Sequence, residues 1–289
     1  MKDAQHQLIT SRISDLHMSD VVFSKICDLA KEQAGLQISS KKRALVQSRI
    51  SKRLRETQVR SFECYLKNIT SGSMPDELTN MISALTTNVS SFFREPHHFT
   101  DFEEKIIPEI EKKLASDQRV RIWSAGCSSG QEPYSIAMIL HHNIKNIYTK
   151  DIKILATDID INILKEAKLG RYDEQFSKEI PERFRHNYEK VSGSKSSFSI
   201  IDPVKELISF RQLNLLSDWP MRLPFTSIFC RNVVIYFDEQ TQQLLWPRFR
   251  QNLSLGGTFF LGHSERISNP QSIGFEPSGV TQYQATQEK

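Results

Sequence analysis

Trp123-Ser124-Ala125-Gly126-Cys127-Ser128-Ser129-Gly130-Gln131-Glu132-Pro133-Tyr134-Ser135 is the stretch on which the fold of this chain turns. It continues the apolar run Val120-Arg121-Ile122, passes through a series of small residues, and enters an apolar segment with a proline near its start. Proline suits the first turn of a helix, where its missing N–H leaves no bond unmade. The segment therefore reads as a strand, a tight turn and a helix. A turn built of small residues lets a ligand approach the backbone closely, and the helix start offers N–H groups to it. The turn is not the G-x-G-x-x-G of a dinucleotide site, and a ligand-free turn of an α/β fold explains it equally well.

Working outward, the same rhythm recurs. Ile152-Lys153-Ile154-Leu155-Ala156, Ser227-Ile228-Phe229-Cys230 and Thr258-Phe259-Phe260-Leu261 are short apolar strand candidates. Helical patterns over 134–144, 161–168 and 239–253 separate them. Such alternation predicts an α/β, Rossmann-like domain with an open, largely parallel sheet covered by helices. The rhythm breaks between Gly170 and Phe210. There the stretch Val191-Ser192-Gly193-Ser194-Lys195-Ser196-Ser197-Phe198-Ser199-Ile200 reads as a hairpin or flexible loop, so an inserted β-subdomain is expected over about 171–211. Residues before about 90 read as all-α. Phe23, Ile26 and Leu29 keep helical spacing up to a Gly35 stop. Val46, Ile50 and Leu54 form the apolar stripe of a second helix, which Ser39 or Ser40 is placed to cap. Phe62 to Ile69 and Leu78 to Leu85 suggest two more. The expected organisation is a helical domain, 1–90, followed by an α/β domain, 91–289.

Composition narrows the class. The chain has 289 residues, 38% hydrophobic and 25% charged, as an ordinary globular protein does. The opening MKDAQHQLIT lacks the apolar core of a secretory signal, and no apolar run is long enough to span a membrane. The cysteines Cys27, Cys64, Cys127 and Cys230 stand far apart, without C-x-x-C or zinc spacing. A reducing cytoplasm, no disulfide framework and no metal are the expectations. The net charge of +4 is unevenly placed: residues 41–60 alone carry +7 and the rest sums to −3. A basic stripe on an otherwise near-neutral chain predicts one acidic partner docking in one place. The patch is compact and lacks interleaved aromatics, which argues against nucleic acid.

The strand ends carry the candidate ligand-binding groups. Thr157-Asp158-Ile159-Asp160 closes the second strand, where an acid can accept both hydroxyls of a ribose. Asp160 reads rather as a plain helix cap, whereas Asp158 reads as the ligand group. Cys230-Arg231-Asn232-Val233-Val234-Ile235-Tyr236 follows a buried strand, so Asn232 lies where sheets of this class open their ligand crevice. Arg231, Asn232 and Tyr236 beside apolar neighbours each need a partner. Asn214, in Leu213-Asn214-Leu215-Leu216, suits the exocyclic amine of adenine or simply a turn. An adenosine-containing ligand follows, with NAD and S-adenosylmethionine both open. No nicotinamide-handling His or Tyr-x-x-x-Lys pair accompanies the third strand, which favours S-adenosylmethionine.

These segments, together with Thr87-Asn88-Val89-Ser90-Ser91-Phe92-Phe93-Arg94-Glu95-Pro96-His97-His98-Phe99, resemble the chemotaxis receptor-glutamate methyltransferases from about Phe23 to about Tyr283. The resemblance implies an S-adenosylmethionine-dependent protein-glutamate O-methyltransferase, cytoplasmic and monomeric, acting on the helical bundle of chemoreceptors and yielding S-adenosylhomocysteine. By position it implies cofactor contacts from Asn88, Ser90, Arg94, Glu132, Asp158, Asn214, Leu215, Asn232 and Val233. Ser90 stands where the family commonly has threonine and keeps the hydroxyl. Arg94 is expected at the methionine carboxylate and near the reaction centre, and Tyr236 is expected to orient the acceptor carboxylate. Arg49, Arg53 and Arg55 match basic positions that engage the receptor. His97-His98 invites a general-base reading, but packing or capping explains the pair better. Gly262-His263-Ser264-Glu265 also resembles the family, without an assigned role. Two departures stand out: the first strand lacks the acid many such enzymes place before the glycine turn, and the 191–200 hairpin is Ser- and Lys-rich where peptide-tethered members are glycine-rich. Tethering to a receptor peptide is therefore in doubt.

Overall fold

The computed structural model describes residues 17–193 and 196–286. Ser194 and Lys195 of the expected hairpin, and the opening residues read for a signal, lie outside them. The described chain divides into two units: residues up to Thr87 with Tyr236–Asp238, and Asn88–Ile235 with Glu239 onward.

In the first unit the described regular elements are helical. Asp20–Ala34 begins at Ser19, whose side chain accepts from the Val22 N–H, and stops at Gly35 in a left-handed conformation (φ 68°). The Gly35 N–H there satisfies the last carbonyls. Helix Arg43–Thr57 enters through a 3-10 turn, Ser40–Lys42, and neither start has a side-chain cap. The expected serine cap is thus absent, because the turn itself carries the chain into the helix. Val46, Ile50 and Leu54 are buried as their spacing requires. Helices Phe62–Thr70 and Glu77–Leu85 complete the unit.

The second unit is built on a seven-stranded sheet. Its strands are β1 (Val120–Ala125), β2 (Ile152–Asp158), β6 (Ile208–Gln212), β7 (Phe225–Cys230), β8 (Leu253–Leu261), β9 (Phe275–Gly279) and β10 (Gln282–Ala285), in the order β6-β2-β1-β7-β8-β10-β9. The first five run parallel, while β10 is antiparallel to both neighbours. This is a Rossmann-like order, with β1 central and the chain stepping outward on either side of it. The chain leaves β1 to one side for β2 and β6, then crosses to the other for β7, so the switch point lies between β1 and β7. Ligands of such sheets enter at the carboxyl ends of those strands. Residues of β7 are buried throughout, as a strand covered on both faces requires. Phe229 and Phe260 stack at 4.2 Å inside the core. The inserted subdomain is a three-stranded antiparallel sheet of β3 (Arg171–Asp173), β4 (Tyr188–Lys190) and β5 (Ser197–Ile200), ordered β3-β5-β4.

Candidate active site

The turn after β1 is held from three sides. Gly126 has φ 79°, and a Cβ there would lie 2.3 Å from a Val233 methyl, so only glycine lets the two loops meet. The Ser128 N–H donates to Asp158 Oδ2 at 2.8 Å, and the Ser128 hydroxyl donates to the Asn88 carbonyl at 2.9 Å. Four predicted residues, Asn88, Asp158, Asn232 and Val233, are thereby brought to the carboxyl ends of β1, β2 and β7.

Asp158 is buried, and its other oxygen accepts from the Asp160 N–H at 3.0 Å. Burial raises its pKa, partly offset by those backbone N–H bonds. Asp160 is the helix cap: its Oδ1 accepts from the N–H groups of Asn162 and Ile163, while Asn88 donates its amide to Oδ2 at 2.9 Å. Asn214 turns its side-chain oxygen to the Leu216 N–H at 3.0 Å, forming an Asx turn just past β6. Beside it the buried Leu215 accepts at its carbonyl from Trp219 and Arg248. Ser90 is half-buried.

A buried cation organises the other side. Arg231 reaches Glu132 at 3.2 Å and Glu95 at 3.1 Å, and it donates to the Arg94 carbonyl. Glu132 also accepts from Ser124 Oγ at 2.7 Å. Burial raises the Glu132 carboxyl, with Arg231 pulling the other way. Burial pushes Glu95 in the same direction, but Arg231 and the bonds from His263 outweigh it and hold the carboxyl at about 2. The Arg94 side chain is half-exposed and donates to Val89 O at 3.3 Å, a long bond within its own loop. His98 is fully buried, with Nε2 2.9 Å from the Val280 carbonyl and 3.0 Å from Thr281 Oγ1. It packs, as the sequence favoured. Sequence reasoning assigned no role to Glu265, Glu95 or Arg231; only the cost of an arginine among apolar neighbours pointed to the last.

In the helical unit the three predicted docking arginines part company. Arg49 donates to the Leu85 and Thr86 carbonyls at 3.0 and 2.7 Å, closing the end of helix Glu77–Leu85. Arg53 forms a fork on Glu77 at 2.8 and 2.6 Å, with Tyr65 also donating to that carboxylate at 2.6 Å. Arg55 is exposed, as are Lys41, Lys42 and Arg60. A shallow pocket opens beside Lys42 and Arg49, walled by Leu36, Leu45 and Val46 and bounded by Tyr236. Tyr236 belongs to this unit, its carbonyl accepting from the Gln37 N–H at 2.8 Å.

Among the described residues no helix is long and apolar enough to cross a membrane. Residues 22–86 match the CheR methyltransferase all-alpha domain, and residues 88–283 match the CheR methyltransferase SAM binding domain. A probable chemotaxis protein methyltransferase of Rhizobium etli is 42% identical over 255 residues, covering 88% of this chain and 95% of that one. The chemotaxis protein methyltransferase of Borreliella burgdorferi is 35% identical over 260 residues, with 87% and 90% covered. That of Escherichia coli K12 is 34% identical over 268 residues, with 92% and 91% covered.

Proposed function

The chain belongs to the CheR methyltransferase family, and from that premise we propose that it methylates glutamate side chains of chemoreceptors, using S-adenosylmethionine and leaving S-adenosylhomocysteine. The observation that carries this reading is the match of both family models, helical and cofactor-binding, along nearly the whole chain. Bound S-adenosylmethionine supplies an electrophilic methyl group on a positively charged sulfur.

The residues fit that ligand. Each Asp158 oxygen accepts one backbone N–H and keeps lone-pair capacity for a ribose hydroxyl. Gly126 lets Val233 close against the turn after β1, the loop a nucleoside would approach. Glu132 is suited to the ammonium of the methionine moiety. Arg94, which makes a long bond to Val89, would hold the carboxylate of that moiety with its fork of donors. Asn88, Ser90, Asn214, Leu215, Asn232 and Val233 supply the remaining contacts.

A glutamate side chain, with a reference pKa of about 4.3, is already ionised at neutral pH. Its oxygen attacks the methyl carbon in line, the new C–O bond forms as the C–S bond breaks, and the two opposite charges cancel. No proton moves, so the chain needs to align and partly desolvate the acceptor rather than supply a base. The Tyr236 hydroxyl is our candidate for orienting the acceptor carboxylate. The pocket beside it joins apolar walls to a basic rim, which suits an acidic amphipathic helix of the receptor's cytoplasmic bundle. Arg55, with Lys41, Lys42 and Arg60, meets that helix, while Arg49 and Arg53 tie their shared helix to Glu77–Leu85. The protein acts in the cytoplasm as a monomer, without inserting into the membrane. Peptide mass spectrometry of receptor incubated with enzyme and cofactor tests the reading. Methyl groups on glutamate are expected; methylation confined to other side chains overturns it.

A further inference from the structure

We propose that Glu265 is a positioning residue for methyl transfer, its carboxylate holding the 231–235 turn in the shape that presents Asn232 and Val233 to the cofactor. This rests on the function proposed above. Asn232 adopts a left-handed conformation, φ 60°, which asparagine accepts more readily than most residues. Glu265 bonds the backbone of the turn that contains it. Its Oε2 accepts the N–H groups of Asn232 at 2.9 Å and Gly262 at 2.6 Å. Its Oε1 accepts those of Val233 at 2.9 Å and Ile235 at 3.2 Å. Only 3% of the residue is exposed. A carboxylate in such a place is costly unless donors surround it, and here four backbone donors do.

The approach is close enough to exclude any side chain at Gly262. A Cβ there would lie 2.5 Å from Asn232 Nδ2, 2.7 Å from Asn232 N and 2.8 Å from Glu265 Oε2. Neighbouring His263 turns its N–H and its ring Nδ1 to Glu95 Oε1, at 3.2 and 3.0 Å. Glu95 directly follows Arg94 in the chain. The segment Gly262–Glu265 thus touches both loops that carry cofactor residues, which gives the motif a purpose. A carboxylate that only stabilised the fold would share these bonds, so the test must separate affinity from stability.

Glu265→Gln keeps the shape but turns an NH2 group toward two of the four donors. Calorimetric titration of the full chain with S-adenosylhomocysteine, thermal melting, and steady-state transfer to receptor membranes are measured together. Expected are a 10- to 100-fold rise in the dissociation constant and a parallel rise in the KM for S-adenosylmethionine, with receptor KM unchanged. Phe275→Leu, a core change in β9, serves as the stability control. It should lower the melting temperature and leave affinity intact. Wild-type affinity in Glu265→Gln, or an equal loss in the control, overturns the proposal. If Glu265→Gln fails to fold, Glu265→Asp is read in its place by the same criterion. An unmodified protein that does not bind S-adenosylhomocysteine overturns the underlying function as well.

Discussion

Charge on single side chains governs the most direct predictions. Arg94 has its backbone carbonyl fixed by Arg231 while its guanidinium is committed only to a long bond within its loop. Replacing it with alanine should leave the loop in place and remove a charge-assisted fork, for a loss of about 100-fold or more in kcat/KM. Steady-state methyl transfer checks this, and near-normal turnover in Arg94→Ala would refute the assigned role. His98 makes a different prediction, about stability. Burial, with the charge of Arg231 beside it, lowers its pKa to about 4 from the usual 6.5. Between those values the unfolded chain binds a proton that the folded chain does not, so stability is lost as pH falls from about 6.5 to about 4. The full effect is on the order of 3 kcal/mol. Glu95, held at about 2, adds a further loss below about 4.5, in the same direction. Melting temperatures across pH 7 to 5 should fall, and His98→Gln should flatten that slope. An unchanged slope in the variant would contradict the account.

At the scale of elements, the site is made where strand ends meet turns. Gly126→Ala puts a methyl into Val233 and forces a side chain into φ 79°. A cost of about 2 kcal/mol or more follows, with at least a tenfold weaker grip on S-adenosylhomocysteine in calorimetry. On the basic helix, Arg55→Glu should raise the receptor KM several-fold at low salt and leave cofactor affinity unchanged. The difference should shrink as salt screens the charge. Arg53→Glu should instead unfold the helical unit, because it sets two carboxylates against each other at Glu77. Two positions apart, Arg53 and Arg55 lie on opposite sides of the helix, but the partner that holds Arg53 lies twenty-four positions away, beyond what the sequence alone shows. The parallel core was legible because β1, β2, β7 and β8 are apolar runs spaced by helical patterns. β9 and β10 were not. Phe275-Glu276-Pro277-Ser278-Gly279 contains the proline and glycine that demote a strand reading, and only an edge position tolerates them. Asp158 and Asn232 were legible as candidate site residues because one ends β2 and the other follows β7. Glu265 was not, since its N–H donors at 232, 233 and 235 belong to a distant part of the chain.

For the molecule as a whole, the proposed function divides the work between the units. The helical unit carries the basic segment, the pocket and Tyr236, while the sheet carries the loops proposed to hold the cofactor. Net charge is only +4, so the basic segment can attract an acidic helical bundle without making the entire surface sticky. The chemistry leaves a diagnostic product, because a carboxyl methyl ester is cleaved by mild base whereas methylated amines and rings are not. The most direct measurement is therefore methyl transfer from labelled S-adenosylmethionine to chemoreceptor-containing membranes, followed by mild alkali. Release of the label as volatile methanol is the predicted result. Label that is incorporated but stays bound through the alkali step would contradict the account, and would assign this site to an acceptor other than glutamate.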